Sequence, residues 1–198
     1  MDKKILEGIK KAVQALNSGG IIAIPTETVY GFACDPRNFE AVKKIFVIKG
    51  RDDNKPLQLI ASSFNQVQAL ADLTKSELKI AQKYWPGPLT LLVKLKSDIK
   101  LAPQTCPNQI IGIRVTSSAI TKAVIESFGY PIATTSANRS GMPPAISGLS
   151  IACSFQKHEQ KLDYILDIGE IDKNLPSTVA SIAKNGKVKI YRQGAIKL

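Results

Sequence analysis

The strongest constraint on the fold is that short apolar runs alternate along the chain with segments of helical periodicity. Ile21–Ile24 is typical of a buried strand, and it follows a segment whose apolar residues repeat at helical spacing: Ile5, Leu6, Ile9, Val13 and Leu16. The same criteria predict strands at 57–60, 89–95, 110–115, 130–134, 164–167, 178–182 and 188–191, and helices at 39–46, 74–84 and 118–128. The N-caps predicted for these helices are Asn38, Thr74 or Ser76, and Ser117 or Ser118. This order predicts one α/β domain over residues 1–198 with a twisted mixed sheet.

Composition limits the class of protein. The 198 residues are 44% hydrophobic and 22% charged, which is ordinary for a folded domain with a sizeable core. Apolar runs stay far below the ~20 residues that span a bilayer, and the N-terminus has no apolar signal core, so we expect a cytoplasmic protein without a membrane helix. The net charge of +11 favours an anionic partner: a nucleotide, an RNA backbone or an acidic surface.

Several familiar catalytic templates are absent from the sequence. It has no GxxxxGK[ST] phosphate loop, no GxGxxG, no HExxH and no GxSxG. The single histidine, His158, lies in a charged run typical of an exposed helix face, and Asp52–Asp53 is expected to be a solvated loop pair. The cysteines Cys34, Cys106 and Cys153 have no metal-ligand spacing. We therefore expect neither a histidine-assisted nucleophile nor a metal site in the protein.

Polar residues gather where predicted strands end, the usual place of ligand sites in open α/β sheets. Pro25 is expected to push the chain out of the sheet, so that Thr26–Gly31 forms a loop with two hydroxyls, a carboxylate and a phenol. Further groups are Lys49–Arg51, Ala133–Gly141, and the late positions Arg114, Ser177–Val179 and Arg192–Gly194. Residues 140–156 are expected to form a long functional loop or lid.

Together these elements resemble the motifs of the YrdC/Sua5 family, in the same order and over nearly the whole chain. They are PTETVYG (25–31), KGR (49–51), KPL (55–57), WPGPLT (85–90), RV (114–115), TSANRSG (135–141), STV (177–179) and RQGAI (192–196). The chain resembles the single-domain, TsaC-like members, without the C-terminal domain of longer Sua5-type proteins. The resemblance implies an open mixed sheet, flanked by helices, around a basic concave cavity.

The resemblance implies a nucleotidyltransferase, an L-threonylcarbamoyladenylate synthase. Such an enzyme makes threonylcarbamoyl-AMP and pyrophosphate from L-threonine, bicarbonate or CO2, and ATP with Mg2+. This is the first step of N6-threonylcarbamoyladenosine formation in tRNA. It also implies delivery of the adenylate to a separate transferase complex, and binding of tRNA or double-stranded RNA is a further candidate property.

The resemblance assigns site residues by motif. Lys49 and Arg51 are implied to be catalytic and to bind the ATP phosphates. The other nucleotide-binding residues it implies are Ser136, Asn138 and Arg192. Those implied to bind L-threonine are Thr26, Arg114, Thr134 and Ser177, with Thr28 and Lys55 as weaker candidates. No protein ligand to a metal is implied.

The implied reaction suits these residue types. It gathers a carboxylate, a carbamate and a triphosphate, so cations and backbone donors matter more than a strong general base. Arg114 is expected to take the threonine carboxylate as a bidentate fork. Lys49→Ala is expected to abolish activity and leave the fold intact.

The sequence departs from the family pattern at three positions. Asp52 and Thr116 stand where prolines are usual, and Pro144 stands where a small hydroxyl residue is frequent. Two alternatives stay open at this stage: a paralogue that binds nucleotide without making the adenylate, and an RNA-binding module with no ATP turnover.

Overall fold

Helices begin in this chain where a short polar side chain precedes a segment of helical apolar spacing. The computed structural model describes residues 1–50, 55–155, 162–172 and 174–198. The side chains of Asp2, Asn38, Ser63, Thr74 and Ser118 each accept a hydrogen bond from an N–H of the first helical turn. The described α-helices are α1 (Lys3–Asn17), α2 (Phe39–Lys49), α3 (Phe64–Leu70), α4 (Lys75–Tyr84), α5 (Ala119–Phe128) and α6 (Gly148–Phe155).

The strands form one mixed sheet, as predicted. They are β1 (Ile22–Pro25), β2 (Tyr30–Cys34), β3 (Gln58–Ala61), β4 (Leu89–Lys94), β5 (Ile110–Val115), β6 (Ile132–Ser136), β7 (Tyr164–Ile165), β8 (Thr178–Ile182) and β9 (Val188–Arg192). Their order is β7-β1-β2-β6-β3-β5-β4-β8-β9. The pairs β1/β7, β3/β5 and β4/β8 are parallel, and the other neighbours are antiparallel.

The two faces of the sheet are covered differently. Helices α2, α3, α4 and α6 contribute to the larger core on one face. Of the described helices, α1 and α5 contribute to the core on the other face, where they pack over Ile22, Ile24, Ala33, Ile60 and Ile132. Because side chains alternate between faces along a strand, this second face continues past the two helices through Gly31, Gln58, Arg114 and Thr134. The uncovered part of the second face is where a ligand can reach the sheet.

Several predicted boundaries were wrong. Pro25 stays in the sheet as the last residue of β1, paired with Tyr30 across a tight hairpin, because a proline is tolerated at a strand end. The predicted loop 26–31 is therefore shorter, and Tyr30 and Gly31 begin the unpredicted strand β2. The predicted strand 130–134 is β6, which extends through Ser136.

Two further helices lie where none was predicted. Helix α3 begins directly after Ser63, whose hydroxyl caps it. Helix α6 occupies residues that were expected to belong to a loop or lid; its Ile151 and Phe155 are buried against the larger core, which favours a helix over an open loop. Residues 156–161, which include His158, lie outside the described part of the chain. Among the described residues no helix is long and apolar enough to cross a bilayer.

The N-cap of α4 offers a test of this local folding rule. The Thr74 hydroxyl accepts from Glu77 N, and the Glu77 carboxylate accepts from Thr74 N at 2.7 Å, forming a capping box. We expect Thr74→Ala to lower the free energy of unfolding by about 1 kcal/mol in urea denaturation. Ser76→Ala, the matched control, removes an exposed hydrogen bond to the Lys184 carbonyl and should have a smaller effect. Equal effects would show that the capping box does not stabilise this helix end.

Candidate functional site

A cavity of about 570 Å³ lies over the uncovered part of the sheet. This volume is within the ~300–1,000 Å³ typical of small-molecule sites. Strands β2, β3, β5 and β6 form its floor, and the β1–β2 turn and the segment before β8 form part of its walls. Its lining residues are Thr26, Thr28, Val29, Gly31, Pro56, Gln58, Arg114, Thr134, Thr135, Ser136, Asn138, Met142, Pro144, Asn174, Leu175, Pro176, Ser177 and Arg192.

Most residues predicted for the site do line this one cavity. They are Thr26, Thr28, Arg114, Thr134, Ser136, Asn138, Ser177 and Arg192. Lys49 and Lys55 are not among the lining residues, and Lys55 is exposed. Arg51 and Asp52 lie outside the described residues, so their predicted place stays a prediction.

Arg114 reaches the cavity from β5 and is held by a buried carboxylate. Its Nε donates to Glu27 Oε1 at 2.8 Å, and the two side chains are only 5% and 9% exposed. The second carboxylate oxygen, Oε2, accepts from the Thr116 hydroxyl at 2.7 Å. Thr116, a departure from the family pattern, thus helps to hold the carboxylate that orients Arg114.

Arg192 is the second cation of the cavity and lies at its exposed mouth. Its Nε donates to the Ser177 carbonyl at 3.0 Å, and its Nη2 donates to Ser177 Oγ at 2.9 Å. Partial burial, and next the nearby positive charge of Arg114, lower the pKa of Arg192 from its ordinary value. Two arginines therefore share a cavity whose described lining contains no carboxylate, which favours an anionic ligand.

The RQG segment reaches the cavity because it docks tightly on the STV segment. Thr178 Oγ1 accepts from Gly194 N and from Ile196 N at 3.0 Å each, and donates to the Ile196 carbonyl at 2.6 Å. A Cβ at Gly194 would lie 2.1 Å from the Pro176 carbonyl oxygen, so only glycine allows this approach. The two motifs are therefore one structural unit that positions Arg192 over Ser177.

Two threonine hydroxyl groups line the cavity near Gly31. Thr26 Oγ1 accepts from Thr28 N at 3.2 Å and donates to the Val29 carbonyl at 2.6 Å, so it fixes the β1–β2 turn. On β6, Thr134 Oγ1 donates to the Phe32 carbonyl at 2.9 Å. Gly31 lies beside it, where a Cβ would be only 2.8 Å from that hydroxyl oxygen. The missing side chain at Gly31 keeps this part of the floor open.

Lys49 holds the turn at Ser136–Asn138, here called the SxN turn, and does not line the cavity. Its side chain is buried, and Nζ donates to the Ser136 carbonyl at 2.6 Å and to the carbonyl and Oδ1 of Asn138 at 2.9 Å each. Ser136 Oγ donates to Asn138 Oδ1 at 2.7 Å, and Asn138 Nδ2 donates to the Met142 carbonyl. This lysine therefore sets the shape of the turn that carries Ser136 and Asn138.

Some residues that line the cavity were not predicted from the sequence. Gln58 Oε1 accepts from Thr90 Oγ1 at 3.1 Å in the cavity floor; its position one residue before buried Leu59 is the only indication that the sequence gives. The Asn174 side chain reaches the β1–β2 turn, where its Nδ2 donates to the Glu27 carbonyl at 3.2 Å. No local pattern predicts that contact, because the two residues lie 147 positions apart. Pro144, the third departure from the family pattern, lines the cavity.

Two motif residues have structural roles away from the cavity. Tyr30 turns to the other face, where its hydroxyl donates to the Gly169 carbonyl at 2.9 Å and burial raises its pKa to about 12. Trp85 Nε1 donates to the Leu89 carbonyl at 2.6 Å and so fixes the entry to β4. Among the described residues no group of three or more His, Cys, Asp or Glu side chains is placed to hold a metal ion.

Comparison with known proteins agrees with this fold. The Sua5/YciO/YrdC family model, which is described as "Telomere recombination", matches residues 14–194. An alanine double variant of P. abyssi Sua5 is 32% identical, with a TM-score of 0.87 over 96% of this chain and 57% of that one. P. abyssi Sua5 complexed with L-threonine is also 32% identical, with a TM-score of 0.83 over 94% and 54% of the two chains.

The present chain thus spans little more than half the length of these Sua5 chains. E. coli YciO shares the fold at 23% identity, with a TM-score of 0.83 over 98% of this chain and 91% of that one. The family model covers most of the sequence and includes every residue that lines the cavity. The chain belongs to the Sua5/YciO/YrdC family.

Proposed function

We propose that the protein is an L-threonylcarbamoyladenylate synthase, which converts L-threonine, bicarbonate or CO2, and ATP into threonylcarbamoyl-AMP and pyrophosphate. The observation that carries the proposal is the pair Arg114 and Arg192 in one hydroxyl-lined cavity. The first fits an amino-acid carboxylate, and the second fits a nucleotide phosphate. The complex of P. abyssi Sua5 with L-threonine, at 32% identity, supports the amino-acid part.

We assign the threonine to the part of the cavity around the buried Arg114. Since Glu27 occupies Nε of Arg114, the terminal nitrogens of this guanidinium are the donors left for a carboxylate fork. Thr26, Thr134 and Ser177 place hydroxyl groups around it, with Thr28 as a weaker candidate. Fixing the carboxylate and the hydroxyl of threonine would aim its amine at the nucleotide half of the cavity.

The nucleotide half is assigned to Arg192, Ser136 and Asn138. Arg192 at the mouth would bind the phosphates. The Ser136 hydroxyl and the Asn138 side-chain amide would contact phosphate or ribose, because the backbone N–H groups of Ala137 and Asn138 already donate to the Tyr30 and Ser136 carbonyls. Lys49 acts as a positioning residue for that turn. Arg51 remains assigned to the triphosphate by its motif, and Lys55 stays a weaker candidate at the entrance. Mg2+ would arrive with ATP as part of the substrate, because the described lining offers it no carboxylate.

The reaction then requires two bond-forming steps. The threonine amine adds to the carbon of CO2 and loses a proton, which gives a carbamate. A carbamate oxygen attacks the α-phosphorus of ATP, and the bond to the leaving pyrophosphate breaks. The first step creates a second negative charge on threonine, and the second brings the carbamate to the triphosphate. The arginines would therefore lower the barrier by stabilising the charge that develops and by holding the reactants in line. We further propose that the product serves N6-threonylcarbamoyladenosine formation in tRNA through a separate transferase.

The first test is the dependence of turnover on each co-substrate. With purified protein, MgATP, bicarbonate and L-threonine, we expect an adenylate and pyrophosphate in equal amounts, detected by mass spectrometry and a coupled pyrophosphate assay. Omission of threonine or bicarbonate should abolish both products. Tight ATP binding without the adenylate would favour the nucleotide-binding paralogue and overturn the proposal.

A second test addresses Lys49. We expect Lys49→Ala to abolish turnover and, contrary to the expectation from sequence, to lower the free energy of unfolding by about 2 kcal/mol, because buried oxygens at Ser136 and Asn138 lose their donor. Activity and urea denaturation measure the two effects. Lys44→Ala, an exposed lysine on the same helix, is the matched control. Wild-type activity in Lys49→Ala would refute the positioning role.

A third test separates the two arginines. Arg114→Lys keeps a charge beside Glu27 but loses the fork, so we expect the KM for threonine to rise about tenfold or more with little change in the KM for ATP. Arg192→Lys should instead raise the KM for ATP, with little change in the KM for threonine. Initial-rate kinetics with each substrate varied in turn measures this. If both variants raise both constants equally, the division of the cavity is wrong.

A further inference from the structure

Gln58 lies in the floor of the cavity, outside every motif that the sequence analysis identified. It belongs to β3, where it is paired with Thr134 of β6. Its side chain extends over Gly112 of the neighbouring strand β5, where a Cβ would be 3.7 Å from Gln58 Cγ and 3.3 Å from Thr90 Cγ2. The missing side chain at Gly112 therefore leaves room for Gln58 to reach the hydroxyl groups of Thr90 and Ser177.

These two hydroxyl groups fix the direction of the Gln58 carboxamide. Gln58 Oε1 lies 3.1 Å from Thr90 Oγ1 and 3.4 Å from Ser177 Oγ, and the two hydroxyl oxygens are 3.0 Å apart. Arg192 Nη2 donates to Ser177 Oγ at 2.9 Å, so that oxygen acts as an acceptor. The hydroxyls carry one proton each and only one proton can lie between them, so the other needs an acceptor. The Gln58 carbonyl oxygen is within reach of it, which turns Nε2 away from the hydroxyls.

The amide nitrogen of Gln58 is left for a ligand. Nε2 carries a pair of N–H donors, and within residues 1–50, 55–155, 162–172 and 174–198 it has no hydrogen-bond partner. The residue also lines the cavity. A neutral donor in the cavity floor fits the oxygen of a carboxylate or a carbamate.

Gln58 stands where the two parts of the cavity meet. Its partner in the sheet, Thr134, is assigned to threonine. Its hydrogen bonds continue through Ser177 to Arg192, which is assigned to the phosphates of ATP. In the proposed reaction the threonine amine points from the first part toward the second, so the carbon that is added to this amine lies near Gln58.

We propose that Gln58 Nε2 donates to an oxygen of the carbamate that forms on the threonine amine, an inference that rests on the proposed function. The amine lone pair forms the N–C bond with CO2, one C–O π-electron pair moves onto an oxygen, and the amine proton passes to water. A donor already directed at that oxygen stabilises its charge as the charge develops. Because the amide is neutral, the carbamate keeps the negative charge with which it attacks the α-phosphorus.

The test compares the affinities of the full chain for N-carbamoyl-L-threonine and for L-threonine, measured by isothermal titration calorimetry without ATP. The first ligand is a stable analogue that places a carbonyl oxygen where the carbamate has its oxygen. Gln58→Met removes donor and acceptor at similar size, whereas Gln58→Glu keeps the acceptor for Thr90 and Ser177 and removes the donor. Gln82→Met and Gln82→Glu, at an exposed position of α4, are the matched controls.

We expect both Gln58 variants to raise the ratio of the Kd for N-carbamoyl-L-threonine to the Kd for L-threonine about fivefold or more, because one hydrogen bond is lost. The Gln82 variants should keep the wild-type ratio. An unchanged ratio in both Gln58 variants, or no binding of the analogue by the wild type, would overturn the proposal. A change in Gln58→Met alone would mean that Gln58 only supports the two hydroxyls, and a change in Gln58→Glu alone would reflect the added charge; either result refutes the donor role.

This outcome is separate from that of the synthase proposal, because the ratio of the two Kd values is measured without turnover. Absence of the adenylate in the turnover assay would refute the synthase and leave the ratio to decide the role of Gln58. Formation of the adenylate by a protein whose Gln58 variants keep the wild-type ratio would refute the role of Gln58 alone.

Discussion

The candidate site depends on the buried ion pair between Arg114 and Glu27. It joins β5, in the middle of the sheet, to the β1–β2 turn at the cavity wall, and Thr116 and Asn174 bond to the same glutamate. A buried charge pair is retained only where its hydrogen bonds are well satisfied, and loss of one partner would leave an uncompensated charge. The pair therefore fixes the position of the wall and the direction of the arginine together.

The cavity itself results from incomplete covering of the sheet. Helices α1 and α5 cover part of one face, and the strands continue beyond them with glycine and polar side chains at the positions that face outward. The larger core on the opposite face provides a rigid support for those positions. A binding surface on a packed sheet can hold reacting groups in fixed positions, which a reaction governed by orientation requires.

Motif residues in this protein divide into those that face the cavity and those that build it. Arg114, Arg192 and Ser177 face it, whereas Lys49, Thr178 and Gly194 shape the segments that carry other residues.

The sequence by itself determined the α/β class and most elements, because periodicity and caps are local properties that short segments express directly, and its motifs contain eight predicted residues that line the cavity. The sequence assigned no role to Glu27 beyond a carboxylate within PTETVYG. It did not predict β2, α3 or α6. Only the tertiary structure decided that Lys49 supports the SxN turn, that Asn174 reaches Glu27 and that Thr116 completes the ion pair. These contacts join residues 87 to 147 positions apart, so their partners are set by strand order and packing, which no local pattern encodes.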